Sequence, residues 1–363
     1  MNKILFIHAH LVIDDYREYI DGALLIEGER IKAVYPHSNH LPAILDAKII
    51  DLEGNYLFPG FFDTHTHGRN GIDFDRCSPD DFLKAQDYYA KAGTTSFFPT
   101  LTGFARLAFV PENMRVHLEG PYVNPQYQGA LNPQAEDLEI LKAYSTKVAQ
   151  MTVAPETTLA AYVMPLLRSW GSRIMVGHSA IDQDSLKEMD YDGYTHLFNC
   201  MPPLNHHKGS ILNVALERTD DHYIEIIADG VHVNKTVLDL LFSLKRHDRI
   251  MLISDSTSAA GLPDGDYLFL SEKCHKENGR FFRHKDGRLA GGVSSLADQV
   301  RILKELAIPN TSILAMTSLN AFRFYGLESH YGSLIKGKMA DLVVLDQDYH
   351  LLQTYKGGHL INV

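Results

Sequence analysis

Eight short apolar runs punctuate the middle of the chain: YLFPGFFDTHTH (56–67), TSFFPT (95–100), MRVHLEG (114–120), TVAPE (152–156), RIMVGHS (173–179), YTHLFN (194–199), YIEIIADG (223–230) and IMLISDS (250–256). Runs of this length without a polar face read as parallel strands covered on both sides. Most are separated by amphipathic stretches of helical length, among them PDDFLKAQDYYAKAG, TTLAAYVMPLLRSWG and NKTVLDLLFSLKRHD. Strand and helix in alternation predict an α/β fold, a closed (β/α)8 TIM barrel. In that fold chemistry gathers where the strands end. The groups at those ends are His65 and His67, Glu119, His178, His196 and Asp255, so the topology predicts that all six converge on one mouth.

The flanks follow a different pattern. Residues 1–53 alternate like short strands, with GALLIEGERIKAVY holding a Glu-Gly-Glu-Arg turn, and residues 333–363 add several more. Because chain ends often meet in space, the expectation is one small β-sandwich built from both termini, with the barrel, residues 54–332, inserted between them. Two separate β-extensions are the alternative. Only LTGFARLAFVPEN separates the second and third runs, room for a stunted helix, whereas the Gly-rich stretch after residue 256 predicts β-hairpins over the mouth.

Composition narrows the function. The net charge of −11 and the lack of a Lys/Arg cluster argue against a nucleic-acid partner. The three cysteines, Cys77, Cys200 and Cys274, show no paired spacing, so neither a disulfide framework nor a thiolate metal site is expected, and a cytoplasmic location fits. The opening apolar run is broken by His8 and His10, unlike a signal peptide, and no stretch reaches membrane-spanning length.

His65 and His67 lie two apart on a strand, so both side chains face one way and can grip one ion. With Glu119, His178 and His196 they make a nitrogen and oxygen donor set suited to Zn²⁺, Fe²⁺ or another divalent transition metal. Isolated histidines such as His8, His10, His222 and His284 read as surface or internally satisfied residues. Asp255, among small residues in LISDSTSAAG, is placed to take a proton from an attacking water and return it to a leaving group. Its bland alternative is a helix cap or loop hydrogen bond.

With these motifs assembled, the chain resembles the N-acetylglucosamine-6-phosphate deacetylase family of the amidohydrolase superfamily over nearly its whole length. The resemblance rests on PGFFDTHTHG, VHLEGPYVNP, VGHSAI, THLFNCMPPL, IADGVHV, ISDSTSAAG, LAGGVSSL and GSLIKGKMADLVVLD, in order. It implies a deacetylase cutting a linear amide, with Glu119, His178 and His196 as the main metal site. His65 and His67 match a pair found in some members, where a second ion is accommodated, giving one or two ions per subunit. Asp255 matches the acid/base, His232 a substrate-contacting histidine, and the turn at Asn199 and Cys200 the sugar-phosphate site. A homodimer is implied as well.

Two segments depart from that family. Where members carry K-G-x-H, this chain has Gln128-Gly129-Ala130-Leu131, and leucine donates no hydrogen bond to a carbonyl. Where relatives have an arginine for phosphate, the chain has His206-His207-Lys208-Gly209-Ser210; Lys208 supplies charge without the bidentate fork. These departures keep open the galactosamine epimer, an unphosphorylated sugar, and a noncatalytic metal- or sugar-binding protein. A hydrolase of some other amide ranks lower, since Glu119 stands where a bridging lysine would be expected.

Overall fold

A computed structural model describes residues 3–42, 44, 46–134, 136–219 and 221–361. The barrel strands, numbered along the chain, are β1 (Phe61–Thr66), β2 (Thr94–Leu101), β3 (Val116–Glu119), β4 (Val148–Val153), β5 (Arg173–Val176), β6 (Gly193–Tyr194), β7 (Tyr223–Ile226) and β8 (Ile250–Leu252). They form one eight-stranded sheet in chain order, with the pairings parallel. The ends of that sheet meet through the Asp255 N–H, which donates to the His65 carbonyl at 3.0 Å. The expected TIM barrel is therefore present. Its fourth strand begins earlier than the TVAPE run and overlaps it at Thr152 and Val153, because Val148–Val153 is an unbroken buried stretch closed off by Pro155.

The three amphipathic stretches are helices at Pro79–Ala90, Ala160–Ser169 and Lys235–Leu244. Asn234 starts the last by accepting from the Thr236 N–H at 2.9 Å. Between β2 and β3 the chain manages only a 3₁₀ turn, Phe104–Phe109. After β8 it builds a three-stranded antiparallel sheet, β9 (Gly265–Phe269), β10 (Glu272–Glu277) and β11 (Arg280–Arg283).

Both termini enter a second eight-stranded sheet. Lys3–Val12 pairs with Glu18–Glu27 on one edge, and with Ala47–Asp51 and then Tyr56–Pro59 on the other; Leu342–Leu345 pairs with Tyr56–Pro59. Leu11, Leu24, Ile26, Leu57, Leu342, Val344 and Tyr355 share its main core. The 56–67 run is thus two strands rather than one. Gly60 marks the break, where a Cβ would fall 2.1 Å from Thr95 Oγ1. One compact unit comprises Met1–Asp63, Gln86–Phe97 and Ser295–Val363, and the other Thr64–Ala85 and Phe98–Ser294. No helix among the described residues is long and apolar enough to cross a membrane.

Candidate metal centre and active site

The strand period carries His65 and His67 to one place, both almost wholly buried. Glu119 ends β3, and His178 and His196 follow β5 and β6. His178, His196 and Asp255 have φ of 50°, 32° and 47°, a left-handed backbone that residues with a Cβ seldom adopt. Three of six candidate groups in this region mark the strand ends as shaped for a purpose other than stability.

The donor atoms form two groups that share Glu119. In the first, Glu119 Oε1 lies 3.0 Å from His178 Nε2 and 3.2 Å from His196 Nε2, and the two nitrogens are 2.9 Å apart. In the second, His67 Nε2 is 3.0 Å from Glu119 Oε2 and His65 Nε2 is 3.3 Å from Glu119 Oε1. Asp255 Oδ1 joins that group at 3.4 Å from both imidazoles. Ligands held ~2.0–2.1 Å from a tetrahedral ion sit about 3.3 Å apart, so both groups have the dimensions of a coordination shell. The residues present fit one or two divalent ions.

Electrostatics support the same fit. Burial would lower His67, but hydrogen bonds to Asp255 and Glu119 outweigh it and raise the ring to about 9. Burial is likewise overcome at His65 by the Glu119 and Asp255 charges, and at His178 by Cys200 and Glu119, so both lie well above the ordinary histidine value. Burial opposes ionisation of Glu119 and Asp255, yet His65 and its neighbours hold both carboxyls below their ordinary range. The pocket demands positive charge, which protons meet when no cation does.

Other groups hold these candidate donors in place. His178 Nδ1 faces the Tyr127 carbonyl at 2.7 Å, which turns Nε2 toward the donor set. Glu225, fully buried inside the barrel, accepts from Thr64 Oγ1 at 2.8 Å and Gln150 Nε2 at 2.9 Å, and its Oε2 lies 3.6 Å from His65 Nδ1. His117 stands between Thr100 and Thr152 with its ring 4.3 Å from His65; burial first and the His65 charge next keep it neutral.

A cavity of about 530 Å³, measured out to solvent, opens over the donors. Gly129, Ala130, Leu131, Asn199, Cys200, His232 and Asp255 all line it. Gly129 has φ of +62°, and a Cβ there would lie 2.7 Å from Cys200 Sγ. Its carbonyl accepts from Arg283 Nη1 at 2.8 Å, tying the loop to β11. His232 Nδ1 pairs with Asp229 Oδ2 at 2.7 Å, leaving a buried Nε2 with no hydrogen-bond partner on the cavity wall. Burial lowers the His232 ring, but Asp229 more than compensates, favouring the form in which Nε2 donates. Phe269 of β9 also lines the cavity, with its ring 5.4 Å from that of His67.

His207 and Lys208 are not brought into this cavity. Both are exposed, and their N–H groups donate to Asn205 Oδ1 in a surface turn. Among the described lining residues there is no lysine or arginine. Sequence reasoning passed over Glu225, Asp229, Tyr127 and Phe269. Only Glu225 left a trace, an acid inside the apolar run YIEII.

A barrel with polar donors gathered at its strand ends defines a metal-dependent hydrolase architecture. The chain belongs to the amidohydrolase family, whose model matches residues 56–361. Within it, the chain is similar to an N-acetylgalactosamine-6-phosphate deacetylase of Escherichia coli O157:H7, at 30% identity over 87% of this chain and 90% of that protein. It is also similar to an N-acetylglucosamine-6-phosphate deacetylase of Bacillus subtilis, at 29% identity over 90% of this chain and 87% of the relative. The crystal structure of N-acetylglucosamine-6-phosphate deacetylase from Pasteurella multocida superimposes with a TM-score of 0.88 at 25% identity, covering 99% of each chain.

Proposed function

We propose that this protein removes the acetyl group from N-acetylglucosamine 6-phosphate, releasing acetate and glucosamine 6-phosphate. The observation that carries this reading is the sharing of Glu119 between two donor groups beneath a cavity that Asp255 and His232 also line. Glu119, His178 and His196 would hold one divalent ion, Zn²⁺ or Fe²⁺; His65 and His67, with Glu119 and Asp255, offer a place for a second. A bound cation supplies Lewis acidity there, lowering the pKa of water toward ~7 and drawing charge from an acyl oxygen.

The chain's own residues do the rest. Asp255, held ionised, accepts a proton from the water attacking the acetyl carbon and delivers it to nitrogen as the C–N bond breaks. His232, oriented by Asp229, directs Nε2 at a substrate oxygen and supplies a donor that Leu131 lacks. Asn199 and Cys200 bound the sugar end of the cavity. Lys208 is the proposed source of positive charge for the phosphate, from its exposed turn on a second copy in a homodimer. A cytoplasmic location, beside other enzymes of amino-sugar metabolism, is part of the same proposal.

The E. coli relative favours a second reading, the galactosamine epimer. Acetate release from N-acetylglucosamine 6-phosphate, N-acetylgalactosamine 6-phosphate and unphosphorylated N-acetylglucosamine decides between them. The glucosamine phosphate ester is expected to have the highest kcat/KM. Equal rates with and without phosphate would defeat the phosphate assignment, and no release with any divalent metal would defeat the deacetylase.

A further inference from the structure

On the outer face of the three-stranded sheet β9–β11, away from the donors described above, stands a separate constellation: Asp266 in β9, His275 in β10 and His284 just after β11. The geometry points to a surface site for a divalent transition-metal ion held by these three side chains.

Strand register makes the arrangement. Asp266 and His275 are directly paired across β9 and β10, so their side chains leave the same face as neighbours. His275 is paired with Phe282 across β10 and β11, and His284 lies two residues beyond Phe282, on the same face again. The His284 N–H donates to the Lys273 carbonyl at 3.0 Å, continuing the ladder and fixing where that side chain starts. Sheet hydrogen bonds thus position all three groups before any ion arrives.

The donor atoms converge on one oxygen. His275 Nδ1 is 2.6 Å and His284 Nε2 3.1 Å from Asp266 Oδ1, and all three donors lie within 4.8 Å of one another. A carboxylate oxygen addressed by two imidazole nitrogens through two protons has the spacing of two nitrogens and one oxygen around a small cation. This set selects for Cu²⁺, Ni²⁺ or Zn²⁺ over Ca²⁺ or Mg²⁺, because imidazole suits the former and the latter take oxygen. Asp266 and His284 are exposed and His275 is half-buried, so water can complete the shell from the solvent side.

The opposite face of the same sheet bears Phe269, Cys274 and Phe281 in a small core, and Phe269 reaches the catalytic cavity. An ion joining β9, β10 and the residue after β11 would stiffen a sheet whose inner side forms part of the cavity wall.

The test uses full-length protein with its tightly held metal retained and loosely held ions dialysed away. It is titrated with Cu²⁺ by electron paramagnetic resonance and with Ni²⁺ by calorimetry. The parent is expected to take up one further equivalent, with nitrogen hyperfine structure, and to show slower hydrogen exchange over residues 265–284. The double variant H275A/H284A should lose that equivalent while keeping its tightly bound metal and its hydrolytic rate. Should the double variant disturb the sheet, H284A alone, changing one exposed side chain beyond the strand, should lower the affinity at least tenfold. Parental uptake by H284A would overturn the site. So would loss of the equivalent on replacing another exposed pair, His206 and His207, instead.

Discussion

Replacing Glu225 with glutamine tests whether the barrel interior, as well as the residues at its mouth, sets metal affinity. The substitution conserves shape. Glutamine Oε1 can still accept from Thr64 Oγ1 and Gln150 Nε2, which now bond Glu225 at 2.8 and 2.9 Å. What changes is the atom facing His65 Nδ1 at 3.6 Å, a carboxylate oxygen in the parent and an amide nitrogen in the variant. Two full charges at that distance would interact by about 4.6 kcal/mol at an effective dielectric of about 20, which is an upper bound. A ligating histidine is neutral and presents only the dipole of its N–H, so the loss is a fraction of this. Orienting partners of metal-bound histidines are typically worth 10–100-fold in affinity, or about 1.4–2.7 kcal/mol. The assay is competition for the metal against a fluorescent chelator, followed by kcat at saturating metal. Glu225→Gln is expected to raise Kd 10–100-fold and leave kcat at saturation within a few-fold. Parental affinity would refute the orienting role. A collapse as complete as that of Glu119→Gln would show that Glu225 is itself a ligand.

Asp255→Asn should retain tightly bound metal yet lower kcat for acetate release by roughly 10²–10⁴-fold, the usual contribution of a positioned acid/base. Gly129→Ala puts a Cβ on a backbone at φ +62° and 2.7 Å from Cys200 Sγ, and should lower Tm, the left-handed backbone alone costing about 1–2 kcal/mol, and raise KM. Stability of the metal-free protein should fall between about pH 7 and pH 9. His67 is raised from 6.5 to about 9 on folding, so its contribution is complete below 6.5 and disappears as pH climbs through 9. A melting series with and without metal checks this, the loaded protein being expected to hold its Tm across that window.

Legibility in the sequence followed the physics of each element. Period-two spacing in DTHTH and the polar residue closing each apolar run were enough to find all six groups at the mouth, because a barrel strand reports its end by where hydrophobicity stops. The division of 56–67 into two strands was not visible: the residues on both sides of the break, YLFP and FF, are apolar, and the break depends on the close approach of Thr95 to Gly60. The fourth strand was placed late, from Thr152 rather than Val148, since the polar Gln150 interrupts its first half; Gln150 is polar because it lines an interior occupied by Glu225. His207 and Lys208 were singled out by motif position alone, and the exposed turn around Asn205 shows how little a motif says about side-chain direction.

The hydrogen bond from the Asp255 N–H to the His65 carbonyl joins the last strand's exit to the first strand's final turn. His65 and Asp255, far apart along the chain, are therefore neighbours in the closed barrel. A chain without its eighth strand would still carry Glu119 and the four histidines of the donor groups, but it would lack Asp255, the proposed acid. The proposed acid and the histidines of the first strand thus stand within reach of each other by virtue of barrel closure itself.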